Sequence, residues 1–79
     1  MGGRIASDAD RRIAERVKAA RLAAGISQTQ LGDALGIAFQ QIQKYERASN
    51  RLSAGMLQAV AHRIGVPVAS FFDDASEAA

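Results

Sequence analysis

The sequence predicts an all-α domain of five helices, and three observations predict it. Apolar residues recur at helical spacing along the chain, and no stretch shows the sustained alternation of a half-buried strand. Serines and glycines punctuate the chain as start and stop signals: Ser7, Ser27 and Ser53 open helices, and Gly25, Gly36 and Gly65 close them. The 79 residues provide for one modest core, not two domains and not a large cavity.

Each element follows from its residues. Residues 1–7 read as an N-terminal arm carrying Gly2, Gly3 and Arg4, with Ser7 at its end as N-cap of a first helix over 8–24. Ile13, Val17, Ala20 and Ala24 make the buried stripe of that helix, and Arg11, Lys18 and Leu22 fall opposite. Ser27 caps a second helix, Gln28 to Leu35, with Gln30 as capping-box partner and Gly36 as stop. A third helix covers 39–46, its apolar side formed by Ile42 and Tyr45 and continued by Ala38. After the polar run 47–52, Ser53 caps a fourth helix over 54–64, with Leu57, Val60, Ala61 and Ile64 inward. Pro67 stands in the first turn of a short fifth helix, 67–72, with Phe71 inward and Phe72 partly in a dimer contact, since adjacent aromatics on one helix cannot both face the core. Residues 73–79 form an acidic tail. The domain proper is therefore expected over 8–72.

Composition removes several function classes. There is no cysteine, so thiolate metal sites, disulfides and cysteine catalysis are excluded. The single histidine, His62, excludes a two-histidine metal site within one chain and falls on the outer side of the fourth helix as a surface residue. No apolar run approaches the roughly 18–20 residues that span a bilayer, and the N-terminus lacks an apolar signal core. Met1-Gly2 is followed by Ala6 where a myristoylation signal requires Ser or Thr. A soluble, cytoplasmic protein without membrane, small-molecule ligand or cofactor is expected. Paired acids in a cleft, a nucleophile relay and a glycine-rich phosphate loop are all missing from the sequence, so no enzyme is expected. Residues 1–72 carry ten positive and five negative charges, a net of +5, which suits a polyanionic partner.

The informative segment is Gln28 to Arg47. Gly36-Ile37-Ala38 is too short to let the two flanking helices lie antiparallel, so they must cross steeply. Such a corner needs a small residue where the helices meet (Gly32), a residue tolerant of left-handed backbone at the turn (Gly36), and an apolar seal (Leu31, Leu35, Ile37, Ile42 and Tyr45). All seven requirements are met, which predicts a helix-turn-helix. The outward stripe of its second helix is Gln40, Gln43, Lys44 and Arg47, at i, i+3, i+4 and i+7, with no acid among them. Glutamine can pair bidentately with adenine, lysine donates to guanine, and arginine and lysine pair with phosphate. The plain alternative is a solvated helix face. Phe39 borders this stripe, where it either packs on the body or touches a thymine methyl.

The run Arg21-Leu22-Ala23-Ala24-Gly25-Ile26-Ser27-Gln28, then Leu31, Leu35-Gly36-Ile37, Ile42 and Tyr45-Glu46-Arg47, resembles the phage Cro and repressor (XRE) family, over about residues 12–72. The resemblance implies a compact five-helix, lambda-repressor-like DNA-binding domain, and a sequence-specific regulator of transcription that binds a palindromic operator in double-stranded DNA as a homodimer. The third helix would enter the major groove, with half-sites roughly 34 Å apart. It further implies base contacts by Gln40, Gln43 and Lys44, with Phe39 beside them, and phosphate contacts by Ser27, Gln28, Arg47, Asn50 and Arg51. Arg21 and Glu46 match the family's internal ion pair, and each borders the buried stripe of its helix; the alternative is two separate surface charges. One position departs from the pattern: Ala48 stands where the family often has glycine after Glu-Arg. A left-handed backbone there would cost alanine about 1–2 kcal/mol; a different helix end would shift the 47–51 loop. Repression is expected over activation, because the sequence shows no second domain for sensing or recruitment. An antitoxin-like or accessory module, whose helix-turn-helix docks a partner protein, is the competing expectation.

Overall fold

A computed structural model describes residues 7–72, which form four α-helices and one short 3-10 helix. The helices are α1 (Asp8–Ala23), α2 (Gln28–Leu35), α3 (Phe39–Glu46) and α4 (Ala54–Ile64), followed by the 3-10 helix Val68–Phe71. The expected arm, other than Ser7, and the expected acidic tail lie outside the described residues.

Local chemistry sets the boundaries. Ser7, Ser27 and Ser53 each accept a hydrogen bond from the third residue of the helix they open. Around Ser7 and Ser27 the box is reciprocal, with Asp10 and Gln30 reaching back to the cap. At the far ends the chain turns through left-handed residues. The Ile26 amide returns to the Arg21 carbonyl, that of Ile37 to Gly32 and that of Val66 to Ala61, across Gly25, Gly36 and Gly65 respectively. The end of α3 is built the same way, the Ser49 amide returning to the Lys44 carbonyl, but its left-handed residue is Ala48, at φ 60°. The alanine therefore takes on the strained backbone instead of shifting the helix end.

Val17, Leu31, Ile42, Leu57, Val60, Ala61 and Phe71 form the core, three of them from α4 and one from each other element. Leu35, Ile37, Tyr45 and Ile64 pack half-buried against it. Leu22 is exposed, as expected.

Four expectations are corrected. The last element is a single 3-10 turn, not a fifth α-helix, and Pro67 precedes it as an extended cap residue at φ −65° and ψ 139° instead of standing in its first turn. Helix α1 ends at Ala23, which leaves Ala24 as an exposed C-cap. The buried stripe of α1 runs instead through Ala14, Val17 and Arg21, with Ile13 and Ala20 half-buried at its edge. An arginine is thus a core residue, which a search for apolar periodicity passes over. Ala38 does not continue the apolar side of α3; it is an exposed N-cap.

Candidate nucleic-acid interface

The corner between α2 and α3 has little room at its centre. A Cβ added to Gly32 would lie 2.7 Å from the Ile37 carbonyl oxygen and 3.3 Å from the Phe39 nitrogen, both backbone atoms that cannot swing aside. Glycine is therefore required at this crossing. Gly36 then turns the chain in left-handed conformation, and Leu31 and Ile42 close the inside of the corner, fully buried.

This corner holds α3 with one face against the core and the other outward. Gln40, Lys44 and Arg47 are exposed, and Gln43 is half-buried beside them. Phe39 begins the helix with 40% of its surface exposed, so both of its possible roles stay open. The ridge presents amide and cationic donors without an acid, a combination that can hydrogen-bond to base edges and phosphates.

Beneath the ridge a buried ionic network fixes the helix. Arg21 Nε donates to Glu46 Oε2 at 2.6 Å and Arg21 Nη2 donates to Oε1 at 3.0 Å, a bidentate clasp between side chains 7% and 3% exposed. The third guanidinium nitrogen, Nη1, donates to the Ile26 carbonyl at 2.8 Å. Among the described residues no buried side-chain polar atom lacks a partner, the condition under which buried charge is tolerable. The expected pair is thus present, and it ties the last turn of α1 to the last turn of α3.

Gln28 lies in the same network, donating Nε2 to Glu46 Oε1 at 3.1 Å. Sequence reasoning expects this side chain at phosphate; one of its amide hydrogens is directed inward, which fixes the residue at the start of α2. Ser27 shares that helix end. Its amide donates to Gln30 Oε1 at 2.8 Å and its hydroxyl oxygen accepts from the Gln30 amide at 2.9 Å. The opening amides of α2 lie here as well, and such amides have no partner within their own helix.

The 47–52 loop carries Asn50 and Arg51, both exposed. The Asn50 amide donates to the Lys44 carbonyl at 3.3 Å, which holds the loop to the end of α3. Arg51 reaches back to the first turn of α1, with Nε 3.3 Å from Asp10 Oδ2. Sequence reasoning missed this pair. Asp10 is the capping-box partner of Ser7, and no local pattern links it to Arg51. The Asp10 carboxyl is held below its usual range, first by the Ser7 amide, then by the Ser7 side chain and by Arg51.

A steric corner, a rigid outward helix and a polar, acid-free ridge define a helix-turn-helix domain. The sequence profile of the helix-turn-helix family matches residues 17–71, and the chain belongs to this family, in its XRE-type branch. It is 47% identical over 66 residues to an HTH-type transcriptional regulator of Sinorhizobium medicae, a match covering 84% of this chain and 48% of that protein. The chain spans about half the length of the curated relatives that it matches. Among solved structures, the clp gene regulator ClgR of Corynebacterium glutamicum superposes with a TM-score of 0.78 at 20% identity, over 82% of this chain and 84% of that one. The restriction-modification controller protein C.AhdI of Aeromonas hydrophila gives 0.74 at 21% identity, over 78% and 94%. At such identities these two likenesses establish the shared fold. No helix among the described residues is long and apolar enough to cross a membrane.

Proposed function

We propose that this chain binds double-stranded DNA sequence-specifically and regulates transcription, with α3 in the major groove. The observation that carries the reading is the exposed ridge of Gln40, Lys44 and Arg47 on a helix clasped from behind by the buried Arg21–Glu46 pair. A reading helix must be both accessible and rigid, since misplacing its donors forfeits discrimination between bases. In this reading Gln40, Gln43 and Lys44 contact bases, while Arg47, Asn50, Arg51, Ser27, Gln28 and the opening amides of α2 contact phosphates. The names of the curated relatives, all regulators of transcription, support the same reading.

The finer proposal is a homodimer that represses by occupying a palindromic operator. Phe72, 44% exposed beside the fully buried Phe71, is the residue we assign to the dimer contact. The test is selection of bound DNA from a random pool, followed by binding at several salt concentrations. A symmetric site with half-sites roughly one helical turn apart is expected, with affinity falling steeply between about 50 and 200 mM salt. Equally weak binding of selected and scrambled DNA overturns the reading, and a stable complex with a co-expressed protein would then point to a protein-docking module.

A further inference from the structure

Arg51 and Asp10 meet at the junction of the 47–52 loop with α1, and their geometry differs from a simple surface pair. The carboxylate is the covered partner: the Asp10 side chain is 18% exposed, whereas that of Arg51 is 76% exposed. Asp10 is also fixed in place, because Oδ2 accepts the Ser7 amide at 3.2 Å and the Asp10 amide donates to Ser7 Oγ at 3.0 Å. The loop backbone is tied from the other side, with the Ser49 and Asn50 amides both on the Lys44 carbonyl. Asp10, Ile13, Tyr45, Ala48, Arg51 and Leu52 line a small hollow at this junction, so loop, α1 and the end of α3 converge on one spot. The mode of contact matters most. Arg21 gives Glu46 both Nε and Nη2, which engages the side edge of its fork. Arg51 meets Asp10 through Nε, and most of its side chain faces solvent.

We propose that Asp10, on the first turn of a helix that does not read bases, is the positioning residue for Arg51: its carboxylate docks the guanidinium through Nε and presents Nη1 and Nη2 to a DNA phosphate. The inference rests on the DNA-binding reading above and deepens it. An arginine with free rotamers must surrender that freedom when it grips phosphate. Docked in advance on a fixed post, Arg51 surrenders less, so an acidic residue on a DNA-facing surface strengthens binding.

The test is a cycle of Asp10→Asn, Arg51→Ala and the double variant on DNA selected with the parent protein, with Ser7→Ala as a control that loosens the same cap but keeps the carboxylate. Asparagine can still accept the Ser7 amide, and thermal unfolding shows whether each variant is folded. Asp10→Asn is expected to weaken binding about three- to tenfold in the parent background. In the Arg51→Ala background it should have no effect or tighten binding slightly, since removing an acid near phosphate is then all that remains. Ser7→Ala should lose clearly less than Asp10→Asn, since the Ser7 amide still holds the carboxylate. In the DNA-free protein, the Arg51 Nε–H should be ordered by 15N relaxation and become mobile in Asp10→Asn. Unchanged or tighter binding by Asp10→Asn in the parent background overturns the inference, because the carboxylate then competes with phosphate. Equal losses in both backgrounds, or a Ser7→Ala loss matching that of Asp10→Asn, overturn it as well. If the parent selects no DNA, the proposed function itself fails; if it selects DNA and the cycle shows no coupling, only the role of Asp10 fails.

Discussion

Two arginine–carboxylate pairs join α1 to the region that ends α3, and they sit in opposite environments. Arg21–Glu46 is closed from water, bidentate and completed by Ile26 and Gln28. Arg51–Asp10 is made through one guanidinium nitrogen, with the arginine largely in solvent. The same chemical partners therefore do different work. Inside, attraction is strong but is offset by desolvation, so the net gain is orientation; outside, neither is large, and the arginine keeps donors for something else. The contrast can be broken or sharpened at four places.

The buried pair gives the largest effect. Arg21→Ala leaves Glu46 charged, buried and short of two donors, and should cost about 3–5 kcal/mol of folding stability by chemical denaturation. Replacing both partners, as Arg21→Met with Glu46→Leu, should return stability to within about 2 kcal/mol of the parent, because the uncompensated charge is gone. DNA affinity should not recover with it. A double variant that binds DNA like the parent would show that the clasp does not orient α3.

The ridge gives the next effect. Gln40→Ala or Lys44→Ala should cost about 1–3 kcal/mol of binding free energy on the selected site and relax base preference at one position, read by repeating the selection. Folding stability should hold, since both side chains are exposed. Equal loss on every DNA sequence would move these residues from bases to backbone, alongside Arg51.

How far the sequence revealed these features depends on how local they are. Helices α2 and α4 have the boundaries that Ser27, Gly36, Ser53 and Gly65 mark, because caps and left-handed ends are encoded by one or two adjacent residues. Gly32 and Gly36 were legible as requirements of a tight corner. The last element was not: the fixed φ of Pro67 suits the first turn of a helix and an extended cap equally, so its 3-10 character depends on how Phe71 reaches the core. Arg21 was legible as half of a pair through resemblance, but apolar periodicity gave its place in the stripe to Ala24. The Asp10–Arg51 contact joins residues with α2, α3 and most of α1 between them, and no local rule encodes it. Gln28 illustrates the same limit, since its position suggested phosphate while its bond to Glu46 depends on the packed corner.

Between the two pairs lies Ala48, whose φ of 60° is the only positive value at a non-glycine residue among those described. Gly25, Gly36 and Gly65 fill the equivalent place at the other helix ends. Ala48→Gly should relieve strain and stabilise the fold by about 1 kcal/mol, less than the full left-handed penalty because glycine gains freedom in the unfolded chain. Calorimetry reads this directly. No gain, or a loss, would mean that the Ala48 methyl, at the edge of the hollow beside Asp10, contributes packing that offsets the strain.

The smallest effect comes from the exposed pair and is a matter of pH. The Asp10 carboxyl is depressed below its ordinary value of 3.8, chiefly by the Ser7 amide, then by the Ser7 side chain, with Arg51 contributing after these. A carboxyl depressed in the folded state binds its proton less readily there than in the unfolded chain. Its stabilising contribution is therefore full above the ordinary value and is lost as pH falls through the depressed one. Arg51→Ala should raise the Asp10 titration midpoint, followed by carboxyl 13C shifts, only part of the way to 3.8, because the Ser7 hydrogen bonds remain. An unmoved midpoint would mean that the pair does not persist in solution. A complete return would make Arg51 the dominant influence on Asp10 and the helix cap a minor one, reversing the order of causes. A partial rise fits a carboxylate fixed first by its own helix and only then serving as a post for the arginine.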